Sequence, residues 1–146
     1  MNNTANQRNR IALAAALLLI LALTGCASVA KPAPSEFGLG PRNSSHGLYT
    51  VVLQPEETLR VRKLQTVQFT LKDAAGNTVD GADIAIDGGM PQHGHGLPTR
   101  PRVTKSLGDG VYVIEGVRFN MGGWWEFKLA IDGKAGSDLV TFNLAL

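Results

Sequence analysis

Met90, His93 and His95 stand close together in the stretch GGMPQHGHGLPTRP, Gly88 to Pro101, which Pro91, Pro98 and Pro101 stiffen. Imidazole binds copper, zinc and nickel, whereas a thioether is a poor ligand for hard or borderline ions and a good one for Cu(I). His93 and His95 are two apart, so in an extended segment their side chains point the same way and can share one ion. Met121, in the turn Asn120-Met121-Gly122-Gly123, offers a second thioether. Two sulfurs and two nitrogens suit Cu(I), and Trp124 or Trp125, next along the chain, can cover such a site. The same residues have a plainer reading. Histidines in a glycine-rich loop hydrogen-bond its carbonyls, methionine fills gaps under loops, and tryptophan pairs serve cores and interfaces.

Catalysis finds less support. The stretch has no paired carboxylates, and no serine or cysteine nucleophile stands beside a histidine in a recognisable motif. The segment GHG is no phosphate loop, because no strand–helix unit follows it. Asp109 and Asp132 fall in LGDG and DGKAG, which read as hairpin turns. The expectation is a binding protein and not an enzyme.

The N-terminus says where such a protein works. Residues 1–10 are polar with Arg8 and Arg10, and Ile11 to Leu23 is an apolar run. This is the order of a secretory signal, and the run is short for a membrane-spanning helix. It ends in Leu23-Thr24-Gly25-Cys26, which resembles the lipobox of bacterial lipoproteins. That resemblance implies cleavage of residues 1–25 and a lipid on Cys26. Cys26 is the only cysteine, so once lipidated it leaves no thiol for a disulfide, a zinc site or a nucleophile. Loss of Arg8 and Arg10 balances basic against acidic residues, which removes any case for a nucleic-acid surface. Ala27 follows the cysteine, and in a Gram-negative cell that pattern favours the outer membrane, facing the periplasm. Residues 26–47, rich in Ala, Pro, Ser and Gly, read as the lipidated cysteine and a flexible tether.

The elements that must position the candidate ligands follow in 48–146. Val67, Phe69 and Leu71 alternate with polar residues, as do Trp125, Phe127, Leu129 and Ile131, and Val140, Phe142 and Leu144. Each pattern is a strand with one buried face. About seven strands fit, over 48–53, 65–71, 82–87, 102–107, 111–119, 124–131 and 138–145. The alternation is poorest over 102–107. An all-β, immunoglobulin-like sandwich is the expected fold. If each strand crosses the sandwich once, the 88–101 loop and the 120–123 turn share an end, and His46 lies at the other. On that count Met121 approaches His93 and His95, and Trp125 faces the core while Trp124 faces outward.

The paired stretches GGMPQHGHGLPTRPRV and GDGVYVIEGVRFNMGGWWEFKLAI resemble the YtkA-like domain family, related to the periplasmic part of FixH proteins, over about residues 48–145. The resemblance implies a small exported immunoglobulin-like domain, with some members linked to copper delivery or to assembly of haem-copper oxidases. Family members often carry a histidine before the second methionine and a proline after it. Here those places hold Asn120 and Gly122, one ligand fewer. The expected function is thus a lipid-anchored periplasmic domain that binds copper through Met90, His93, His95 and Met121. It would pass the ion to an oxidase or efflux partner. The alternative is an interaction or ligand-docking module whose His/Met loop is structural.

Overall fold

The computed structural model describes residues 29–146. The alternating segments form β2 (Tyr49–Pro55), β3 (Gln65–Asp73), β4 (Asp83–Met90), β6 (Arg102–Gly108), β7 (Val111–Val117), β8 (Trp124–Gly133) and β9 (Gly136–Ala145). Two short strands join them, β1 (Arg42–Asn43) and β5 (His95–Gly96). All pairings between strands are antiparallel, in two sheets ordered β1-β2-β3-β7-β6 and β5-β4-β8-β9. Without the two short strands this is the four-plus-three arrangement of an immunoglobulin constant-type domain. Among the described residues no helix is long and apolar enough to cross a membrane.

Period two explains the core. Val51 and Leu53 of β2, Phe69 and Leu71 of β3, Phe127 and Leu129 of β8, and Val140 and Phe142 of β9 are all buried between the sheets. The chain's one cysteine lies outside the described residues, so no inter-sheet disulfide ties them. Aromatic packing fills the space instead. Phe69 stacks on Tyr112 at 5.1 Å between centroids, and Phe119 meets Trp125 and Phe127 edge-on at 5.2 and 6.4 Å. The weak alternation over 102–107 has a cause. β6 is an edge strand whose register against β7 shifts twice, and only Val103 along it is even partly buried. Bulges and charged residues such as Arg102 and Lys105 are usual on an edge.

Part of the stretch 26–47, expected to be a tether, joins the sandwich. From Pro34 the chain belongs to the sandwich. Pro34–Glu36 forms one 3-10 turn, Phe37 pairs with Asn143 of β9, and the Leu53 N–H donates to the Leu39 carbonyl at 2.7 Å. The Ser45 N–H then reaches the Leu139 carbonyl at 2.9 Å. These contacts run through backbone groups, which any sequence offers. That is why a stretch without side-chain periodicity still covers the edge of β9. The signal-like run and Cys26 lie outside the described residues.

Asp138 fastens this segment. Its side chain is fully buried, and it accepts hydrogen bonds from the backbone N–H of His46 (3.1 Å), Leu48 (3.3 Å) and Leu139 (2.8 Å), with His46 Nδ1 at 3.0 Å. Burial alone would push its pKa up. The hydrogen bonds from Ser44, Leu139, Leu48 and His46 outweigh it and hold the carboxyl well below the usual carboxylate range. The stabilisation this carboxylate supplies is therefore complete above the unfolded-state pKa of about 3.9, and is lost as pH falls from there toward the depressed folded value. We expect Asp138→Asn to lower the urea midpoint at pH 7, with the gap from wild type narrowing at pH 3. A gap that stays constant between those pH values would contradict this account.

Candidate metal centre

The stretch expected to be an irregular loop is a tight hairpin at its start. β4 runs on to Met90, the chain turns over Pro91–Gly94, and β5 returns with Met90 opposite His95 and Gly89 opposite Gly96. The Met90 carbonyl accepts from the N–H groups of His93 (3.0 Å) and Gly94 (2.9 Å), and Gly94 takes the left-handed φ of 66° that closes the turn. Gly89 permits the close return, since a Cβ there would lie 2.3 Å from the His95 carbonyl oxygen. Two adjacent glycines interrupt the apolar alternation of β4 in the sequence, which hides the strand's last turn of pleat.

This hairpin gathers the candidate ligands. Directly opposed residues share a face of the sheet with Cβ atoms about 4.5–5.5 Å apart, which sets His95 beside Met90. The His93 ring lies parallel to that of His95, 7° between planes and 5.8 Å between centroids, and both histidines are exposed. Met90 is 2% exposed and belongs to the core. Its Cε packs under Gly123, where a Cβ would approach it to 2.8 Å. Met121, two residues before Gly123, is 38% exposed. The turn that carries it is held from both sides. Trp125 Nε1 donates to the Met121 carbonyl at 3.1 Å, and Gly123 exchanges two backbone hydrogen bonds with Leu146, at 2.7 and 3.1 Å.

Met90, His95 and His93 thus lie together on the hairpin, and Met121 falls at the same end of the sandwich. His46 lies at the other end, against Asp138, which pairs with Ile131 of β8, whereas Gly89 pairs with Glu126. Those two positions on β8 are roughly 17 Å apart at the usual rise per residue. Two expectations change. Met90 offers its sulfur from the core side and not from an open loop. Trp124 is buried on the outer face, where its Nε1 donates to Asn143 Oδ1 at 2.9 Å, and Asn143 in turn reaches the Glu36 carbonyl at 3.4 Å. The N-terminal segment covers Trp124, so Trp124 is no lid over the histidines. Trp125 is in the core and supports the Met121 turn from beneath. A reading for ligand types passes over Gly89, Gly123 and Leu146, which shape the site through backbone alone. Their signals are the glycine pairs before Met90 and before Trp124.

The donor set is narrow. Among the described residues no group of three or more His, Cys, Asp or Glu is placed to hold a metal. The side chains of metal-binding type gathered at this end are the imidazoles of His93 and His95 and the thioethers of Met90 and Met121. That chemistry fits Cu(I) better than a borderline ion such as Zn²⁺, for which a thioether adds little.

No curated protein matches the chain. Among solved structures, the ZirS C-terminal domain superposes with a TM-score of 0.40 at 16% identity, over 84% of this chain and 83% of that one. The YtkA-like family model matches residues 44–130, which takes in β2 to β7 and most of β8, with the whole Met90–His95 hairpin and the Met121 turn. With a match over more than half of its length, the chain belongs to the YtkA-like family.

Proposed function

We propose that this protein is a lipid-anchored periplasmic copper-binding domain, which passes Cu(I) to or from a respiratory oxidase or efflux partner and carries out no catalysis of its own. The observation that supports it best is the pair of parallel, exposed imidazoles of His93 and His95, with Met90 opposite His95 and Met121 at the same end of the sandwich. His93 and His95 supply nitrogens, Met121 the accessible sulfur, and Met90 a second sulfur behind His95. A site with so few open donors leaves room for a ligand from a receiving protein, which is what transfer requires. Purified protein should carry one copper per chain after loading with Cu(I). A chain that retains none after desalting contradicts the reading.

The anchor has its own test. The Leu23-Thr24-Gly25-Cys26 pattern supports lipidation at the cysteine. Cys26→Ser should abolish labelling by radioactive palmitate and release the protein from the membrane fraction. Palmitate found on that variant would overturn the lipobox reading.

A further inference from the structure

The described residues hold two sulfur atoms, and the fold treats them oppositely. Met90 is 2% exposed, belongs to the core cluster and carries its methyl under Gly123. Met121 stands outside that cluster, on the 120–123 turn, at 38% exposure. The chain's one thiol, Cys26, is the residue that lipidation would block. Both tryptophans, which stronger oxidants attack, are buried. A peroxide arriving from solvent therefore meets one accessible sulfur in the domain, that of Met121, and access governs which methionine is oxidised.

The turn beneath that sulfur keeps its shape without help from the thioether. Trp125 Nε1 holds the Met121 carbonyl at 3.1 Å, and Gly123 exchanges two backbone hydrogen bonds with Leu146. Just ahead of the turn, the Phe119 carbonyl accepts from the Arg62 N–H at 2.6 Å. An oxygen added to the Met121 sulfur can be met by water, so no buried polar group is left unpaired. The same oxygen on Met90 would lie in the core, where an unpaired polar group is costly. The position of Met121 thus suits a change of side-chain chemistry that spares the fold.

We propose that Met121 is a reversible oxidation site, and that its conversion to the sulfoxide loosens the hold of the His/Met end on Cu(I). The modification stands apart from the copper reading, whereas its effect on Cu(I) rests on that reading. In the forward step a lone pair of the sulfur attacks one oxygen of hydrogen peroxide. The S–O bond forms and the O–O bond breaks. The proton of the attacked oxygen passes to the leaving hydroxide, which departs as water. Sulfur loses two electrons and the peroxide gains them. In the return a dithiol supplies two electrons, becomes a disulfide and the oxygen leaves as water, with one methionine sulfoxide reductase for each sulfoxide epimer. A sulfoxide presents a harder oxygen donor, and Cu(I) prefers soft sulfur. The oxidised domain keeps the two imidazoles, which suit Cu(II) or Zn²⁺ as well, and loses the accessible donor that favours Cu(I).

The test uses the full chain carrying Cys26→Ser, which has no thiol, treated with hydrogen peroxide in the absence of metal. Peptide mass mapping should find one added oxygen at Met121 roughly tenfold sooner than at Met90. In urea the two methionines should react alike. Reductases for both epimers, with a dithiol, should remove the oxygen. Near-ultraviolet circular dichroism should stay unchanged, which shows that the fold persists. In a Cu(I) competition titration the oxidised protein should be weakened to the level of untreated Met121→Leu and restored by the reductases. Peroxide should weaken Met121→Leu no further. Equal oxidation of Met90 and Met121 in the folded protein would overturn the modification site. An oxidised protein that holds Cu(I) as tightly as the untreated one would overturn the effect on copper. An untreated protein that binds no Cu(I) would overturn the copper reading and that effect together, while the oxygen map, made without metal, still decides the modification.

Discussion

Phe127→Ala should cost about 3–5 kcal/mol of stability, the usual range for truncating a large buried aromatic. Phe127 is 1% exposed and sits opposite Phe142 on β9 and Gly88 on β4, at the middle of the sheet that carries the hairpin. Its ring meets Phe119 edge-on at 6.4 Å, and Phe119 in turn meets Trp125. The cavity would open beneath both the Met121 turn and the end of β4, so relaxation there is limited by backbone pairing on either side. A denaturant titration reads the loss as a shift of midpoint at constant slope. A loss under about 1 kcal/mol would mean that the faces of β8 are exchanged, since a slip of one residue turns every side chain over.

How far the sequence reveals this molecule depends on which forces act at each position. Side-chain burial writes itself into the chain as period two. Val67-Phe69-Leu71 and Trp125-Phe127-Leu129-Ile131 therefore announce their strands and faces. The strand count also orders the ends, which sets Met121 with the histidines and His46 apart from them. Backbone pairing leaves no such trace. The two-residue strands Arg42–Asn43 and His95–Gly96, the bridge from Phe37 to Asn143 and the seat of Leu146 against Gly123 use N–H and C=O groups that every residue has. So the segment after Pro34 reads as tether and the Met90–His95 hairpin as loop.

The candidate site divides in the same way. The types His93, His95, Met90 and Met121 suggest soft-metal chemistry before any geometry is known. Whether a thioether is open or buried depends on packing between distant strands. Met90 looks like a loop residue until its methyl is found under Gly123, and Trp124 looks like a lid until Asn143 takes its indole N–H.

Removing both imidazoles should abolish specific copper binding. Loss of a mere outer-shell partner costs 10–100-fold in metal affinity, so His93→Ala/His95→Ala should lose more than about 100-fold. The fold should persist, because both side chains are exposed and make no hydrogen bond among the described residues. Met121→Leu removes the accessible sulfur at similar size and should weaken Cu(I) while leaving any zinc binding unaffected. Met90→Leu keeps the packing under Gly123 in apolar character and asks whether the buried sulfur takes part. The most direct test is a competition titration of Cu(I) against a chromophoric chelator on wild type and these three variants. One tight site is expected in wild type, none in the double histidine variant and a weakened one in Met121→Leu. A wild type that competes no better than His93→Ala/His95→Ala would contradict this expectation.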